Sequence, residues 1–503
     1  MAHPRARVLT QPIMAHLETE FPIAGLERIV LVEAPTGARR TGEAARKPKT
    51  VARLSDWAYI ERSLHRLIAG WGRHHTAWSD IVACHRHVWE VSECVRQLRE
   101  RLAQFPGSNS NLEAPVSARL EVLVNTVLLA PSFHDAVDGI YGVLMPALTR
   151  SYQLYGATAH PVHDAPTMAT LHSIIGLKDG LRSWRADFRR RHPHTTDATY
   201  LSAIERELKA CGDLLEAVPV EGETAQPVGV RTNFCLPARP GRPAGFAQGR
   251  NIRPYLARDF QFSVEARRLF WAYAYLLEMN LAMDQLRWIY DGHFMPWEFL
   301  QDISRHLWDE SRHGDSGYSR LLDFGITLAD IGFPPYGDDF SSDALQGGNG
   351  SPADQRASGE AAPLSPKDLY DQIYFIGMCA ETGHFVVKRQ AYDDFRDGGD
   401  LESAEMMLFD IIDETTHVQY AHRWLSLLAE HAGVDNFDYK ERAARDREKH
   451  QQSHLQSLEA YRDLSNDPAD PDFARYQELL AIMREKQPLS NAATAPVRDP
   501  LPM

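Results

Sequence analysis

The sequence predicts an all-α protein in two helical parts, the second of them a four-helix bundle. Three observations carry that expectation. Apolar residues recur at helical spacing over about 54–215 and again over about 260–435. Stretches rich in Pro and Gly separate those runs. One five-residue word occurs twice, DESRH at 309–313 and DETTH at 413–417, each time inside a helical run.

In chain order, residues 1–50 read as a flexible arm, basic at Arg39, Arg40, Arg46, Lys47 and Lys49 and without a lasting apolar period. An N-terminal helical domain spans 51–217. Ser55 and Asp56 are cap candidates for its first helix, Pro106-Gly107 stops the second, and Pro131 and Pro146 interrupt a strongly apolar third run. Asp164 followed by Pro166 is a favourable helix start. This domain reads as a second bundle, a degenerate repeat of the metal-binding one. Residues 218–258 form a Pro/Gly-rich linker. The bundle proper occupies 259–435, with helices expected at 261–290, 296–324, 366–396 and 401–431 and a mobile loop at 337–364 suited to act as a lid. Polar amphipathic helices fill 436–487, suited to packing on the outside or against another copy, so a homodimer is among the expectations. A disordered tail closes the chain at 488–503.

On a helix, residues three apart share a face, so Glu310 points with His313 and Glu414 with His417. A carboxylate and an imidazole one turn apart can grip one metal ion. Two further carboxylates sit in apolar helical runs, Glu278 and Glu381. Glu310 follows Glu278 by 32 residues and Glu414 follows Glu381 by 33, so two helical hairpins joined by a long crossover would each offer Glu and E-x-x-H inward. The six expected ligands are therefore Glu278, Glu310, His313, Glu381, Glu414 and His417, with Glu310 and Glu414 bridging two ions. Asp309 and Asp413, each four residues before a ligand histidine, are expected to receive an imidazole N–H behind the metal. His384 makes a third E-x-x-H with Glu381 and is an extra candidate, as ligand or as pocket wall. Asp410, Tyr275 and Tyr374 are pocket candidates. His85, His87, His163 and His172 of the N-terminal part lack a paired carboxylate and read as ordinary histidines.

Composition sets the outer bounds. A net charge of −14 over 503 residues argues against broad nucleic-acid binding. Five cysteines without a C-x-x-C pair suggest a reducing compartment and no thiolate metal site. No apolar run approaches a membrane span, and the N-terminus shows no secretory signal, so a cytoplasmic protein is expected.

The order Glu, E-x-x-H, Glu, E-x-x-H resembles the ferritin-like di-iron carboxylate superfamily. DESRH resembles the motif of bacterial multicomponent monooxygenases, and its continuation ESRHGD that of plant acyl-carrier-protein desaturases. A D-E-x-R-H helix after a P-W-E-F-like start, here Pro296 to Phe299, is similar to a large group of bacterial ferritin-like proteins. The second word departs from the pattern at Thr416, where Arg often stands. The resemblance covers about 260–435 and implies two iron ions, or a manganese–iron pair, reacting with dioxygen to hydroxylate, desaturate or N-oxygenate a substrate, or to oxidise ferrous iron. The expected function is an oxygen-dependent oxygenase or oxidase acting on a small organic substrate. With no flavin or ferredoxin motif visible, electrons would come from a separate donor. The alternative is a metal-binding or ferroxidase protein, or a helical scaffold with a structural dimetal site.

Overall fold

The computed structural model describes residues 49–105, 117–218, 234–237, 240–241, 243–246, 251–332, 363–435 and 438–486, the side chains of 49, 453–458 and 460 excepted. All but the last two residues of the expected arm and of the expected loop at 337–364 lie outside this set. So do the expected tail at 488–503 and most of the stretch 219–250. Among the described residues the chain is all-helical, with no strand.

Helices α1 (Lys49–Gly72) and α2 (Trp78–Ala103) pack as a hairpin. Ser55 and Asp56 lie inside α1 and cap nothing: Ser55 Oγ donates to the Val51 carbonyl, and Asp56 accepts the Val218 N–H across the fold. Helix α3 (Ala118–Leu128) begins where the Ser117 side chain accepts an N–H from Arg119. Helix α4 runs through Phe133–Val137, a π-helical segment Asp138–Leu144, and Met145–Thr158, so Pro146 falls in the first turn after the π segment. Helices α5 (Ala165–Arg191) and α6 (Ala198–Ala210) complete this part. At its centre Lys178 of α5 holds Glu61 of α1 at 2.9 Å, and the Tyr152 hydroxyl donates to the other Glu61 oxygen at 2.6 Å. Both charges are almost wholly buried, so each depends on the other to offset its lost hydration.

The stretch expected as a linker ends in a helix, α7 (Arg253–Asp259). Helix α8 (Val264–Asp291) is capped by Ser263, and α9 (Trp297–Asp323) comes directly after Pro296. Helix α10 starts with a capping box, Ser365 with Asp368. It comprises Pro366–Ile373, a π-helical segment Tyr374–Glu381 and Thr382–Asp397. Helix α11 (Leu401–Ala432) is capped by Asp400 and stops at Gly433, whose φ of 64° favours glycine. Helices α12 (Tyr439–Arg462) and α13 (Pro471–Lys486) end the described chain.

From Lys49 onward the chain is one compact unit, and a single apolar core runs from α1 through α13. A smaller cluster of Trp271, Tyr275, Ala391, Phe395, Ala404 and Met407 closes α8 against α10 and α11. Helices α8 and α9 approach closely because Gly314 and Gly317 of α9 present no side chain to α8: a Cβ on Gly317 would stand 2.4 Å from the Leu276 nitrogen. Helices α8 to α11 thereby bring their inward polar residues to a common centre.

Candidate metal centre

Two groups of metal-type donors meet among α8, α9, α10 and α11. The first consists of His306, Glu310, Glu381 and His417, all buried, with donor atoms mutually within 4.8 Å. Glu310 Oε1 lies 3.1 Å from His306 Nε2 and 3.4 Å from His417 Nδ1. Glu381 Oε1 lies 3.1 and 3.2 Å from the same two nitrogens. The two imidazoles stack with centroids 3.6 Å apart. The second group consists of Glu278, His313 and Asp410. His313 Nδ1 stands 3.1 Å from Glu278 Oε2, 3.4 Å from Asp410 Oδ1 and 3.9 Å from Glu310 Oε2. Glu310 therefore turns one oxygen to each group, the arrangement of a bridging carboxylate.

The local sequence explains the convergence. His306, Glu310 and His313 succeed one another at spacings of four and three, which puts them on one face of α9. Asp410, Glu414 and His417 repeat that spacing on α11. Glu381 is the last residue of the π segment, where Thr382 Oγ donates to the Gly377 carbonyl five residues back at 2.7 Å. A π turn adds a residue and rotates the next stretch of helix about its axis, and such turns recur at functional sites.

Behind the donors the acids cross over. The adjacency of each Asp to its own E-x-x-H suggested a partner on the same helix, but Asp309 Oδ2 meets His417 Nε2 at 3.3 Å and Asp413 Oδ2 meets His313 Nε2 at 3.2 Å. Each acid thus fixes the imidazole of the opposite helix, leaving both Nδ1 atoms facing inward. Arg312 bonds both Asp309 and Asp413, and Arg305 reaches Asp309 at 2.8 Å and Asp413 at 3.4 Å. Arg305 supplies the second guanidinium that Thr416 does not; Thr416 is half-buried and its hydroxyl donates to the Ile412 carbonyl.

Lys388 was not anticipated. It is buried, with Nζ 2.7 Å from Asp410 Oδ2, bonded to Glu414 Oε1, and 3.8 Å from Glu278 Oε1. The Tyr275 hydroxyl donates to the same Asp410 oxygen at 2.7 Å. Seven carboxylates (Glu278, Asp309, Glu310, Glu381, Asp410, Asp413, Glu414) thus face three permanent cations, Arg305, Arg312 and Lys388. The four negative charges left over are what two divalent ions would neutralise.

In the metal-free protein this crowding spreads the ionisation equilibria apart. Burial raises the Glu278 carboxyl to about 7. Burial, helped by Asp410, pushes Glu414 well above the carboxylate range. Burial acts upward on Glu381 too, but His306 and His417 outweigh it and bring it down to about 2. Burial would lower His417, yet Glu381 and Asp309 raise it to about 10. Burial and the neighbouring Asp410 carry the Tyr275 phenol well above its ordinary value.

The donor set fits a metal. Glu278 Oε2, His313 Nδ1, Glu381 Oε2, Asp410 Oδ1 and Glu414 Oε2 are buried with no hydrogen-bond partner among the described residues. Buried polar atoms rarely stay unpaired, and these five belong to residues of one centre. Of the six residues expected as ligands, five fall into the two groups, and Glu414 adjoins the second, held by Lys388. His306 joins the first group unannounced, and Asp410, expected only as pocket wall, joins the second. His384, the extra candidate, joins neither donor group; its ring lies 6.4 Å from that of His450 on α12. Seven residues after Glu381, close to two full turns, Lys388 lies on the inward face. The Tyr374 hydroxyl donates to Asp446 of α12 at 2.8 Å. In the N-terminal part His163 and His172 are exposed, while His85 and His87 are buried and belong to no donor group among the described residues.

No helix among the described residues is long and apolar enough to cross a membrane. Comparison with protein-family models, with curated proteins and with solved structures returned no match for this chain.

Proposed function

We propose that the chain is a non-haem dinuclear metal protein of the ferritin-like kind, and that it uses iron to carry out an oxygen-dependent oxidation of a small organic substrate. The observation that supports this most is the pair of adjoining buried donor groups that share Glu310. Carboxylates and imidazoles without a thiolate suit iron or manganese cycling between divalent and trivalent states. When bound, such a pair supplies redox chemistry toward dioxygen that no protein side chain provides.

The chain's own residues would divide the remaining work. His306, Glu381 and His417 would hold one ion and Glu278, His313 and Asp410 the other, with Glu310 between them. Asp309 and Asp413 would keep the imidazoles aimed, and the arginines would hold those acids in place. Glu278 keeps 22% of its side chain exposed while the other donors are closed in, so small molecules would enter on its side. Trp271 and Tyr275 of α8 pack in the neighbouring buried apolar cluster. Electrons would come from a separate protein.

Anaerobic loading with Fe(II) followed by elemental analysis and oxygen exposure tests the proposal. The expected result is close to two irons per chain and a visible absorption change that needs oxygen. Iron held without any oxygen-dependent change would instead make the site structural. Glu310→Ala and His417→Ala should each lose iron; full retention in both would refute the ligand assignment.

A further inference from the structure

The second donor group carries a cation of its own. The Lys388 ammonium touches Asp410 Oδ2, Glu414 Oε1 and Glu278 Oε1. The oxygens it takes are not the convergent ones: Asp410 Oδ1 and Glu278 Oε2 face His313 Nδ1 instead. The ammonium thus stands behind the second position, on the far side of the same carboxylates. The first position has no such neighbour. Among the described residues the ion-pair partners of Glu310 and Glu381 are histidines.

We propose that Lys388 makes the two metal positions unequal, so that His306, Glu310, Glu381 and His417 hold an ion tightly while the Glu278, His313 and Asp410 position holds one weakly and exchangeably. This rests on the dimetal proposal above. An ion at the second position must share its carboxylates with a fixed positive charge a few ångströms away, in an interior that screens charge poorly. The same ammonium keeps the buried Asp410 and Glu414 and the less enclosed Glu278 assembled while that position is empty, because like charges at this spacing would otherwise repel. The exchangeable position is the one beside Glu278, the least enclosed donor.

The test is an anaerobic titration of the full chain with Co(II), read by its visible absorption and by equilibrium dialysis. Wild type should take one equivalent first and a second with an affinity lower by on the order of tenfold or more. His306→Ala should remove the tight step and leave the weak one; His313→Ala should do the reverse. In Lys388→Met the second step should tighten until the two merge, while Lys388→Arg, which keeps the charge, should stay stepped. Two equivalents entering wild type in a single step would overturn the proposal, as would a Lys388→Met titration stepped like wild type. Should Lys388→Met not fold, the wild-type, His306→Ala and His313→Ala titrations decide alone. Absence of any Co(II) binding would remove the dimetal proposal and this one together. Single-step binding of two ions would remove only the role given to Lys388.

Discussion

Adding one methyl group at Gly317 should disturb both stability and metal content, although Gly317 touches no donor. Its Cβ would lie 2.4 Å from the Leu276 nitrogen, 2.6 Å from the Ala272 carbonyl oxygen and 2.8 Å from Tyr275 Cβ. Ordinary contact begins at 3.4 Å, so α8 must retreat from α9 by about 1 Å. The two closest atoms belong to helical backbone, which cannot rotate aside, so the cost falls at the upper end of overpacking, roughly 3 kcal/mol. Glu278 stands one turn along α8 from Tyr275 and meets His313 at 3.1 Å, so the same retreat pulls the second donor group apart. Thermal melting and elemental analysis of Gly317→Ala should show a lowered midpoint and loss of the second equivalent of metal. Gly176→Ala is the matched control. Nothing lies within 4 Å of a Cβ there, on α5, and the change should stabilise by roughly 0.5–1 kcal/mol through helix propensity. A Gly317→Ala protein that melts and binds metal like wild type would refute the close-approach argument.

Other expectations can be checked alongside it. Arg312→Ala leaves Asp309 and Asp413 with only one of their two shared cations and should weaken metal binding by roughly 10–100-fold with every donor intact, measured by competition with a chelator. Unchanged affinity would show that the arginine does not act on the site. Lys178→Met should destabilise by roughly 3–5 kcal/mol because it strands the buried Glu61 carboxylate, and Lys178→Met with Glu61→Leu should recover much of that loss in a denaturation series. Burial lowers His65, His75 and His85 to about 3, below the unfolded value of 6.5, so unfolding takes up protons and stability falls as pH drops below about 6.5. The slope should approach about 1.4 kcal/mol per pH unit for each of them. His417, raised to about 10 in the metal-free protein, acts in the opposite sense: its contribution is complete below about 6.5 and is lost as pH rises toward 10. Metal-free protein should therefore melt highest near pH 6.5, with an alkaline decline that metal suppresses. A melting temperature flat from pH 5 to 9 would contradict both assignments.

Much of this centre was legible because helical spacing turns sequence distance into direction. The paired E-x-x-H words with Glu278 and Glu381 fixed four helices, and the observed bounds of 264–291, 297–323, 366–397 and 401–432 lie within three residues of those expected. His306 and Asp410 carried a readable signal as well: each precedes its Glu by four residues, so the motif on both helices is one turn longer than E-x-x-H. His384 completes an E-x-x-H with Glu381 yet joins neither donor group, at a point where the helix follows a π segment that no local propensity announces. Lys388 was hidden for another reason. A lysine in a helix normally implies a solvated face, and only the surrounding acids, brought from two neighbouring helices, make its burial favourable. Tyr374 could not be oriented without knowing that α12 covers that face of α10.

The crossed acids have a consequence for assembly. Because Asp309 steers the imidazole of α11 and Asp413 that of α9, neither helix can prepare its own histidine. Slipping one helix past the other by a single turn, about 5.4 Å, would disarm both rings at once. Correct docking of the two E-x-x-H helices is thus written into the direction in which each ring is held, and an ion that bound there would report that the chain had been put together in the right register.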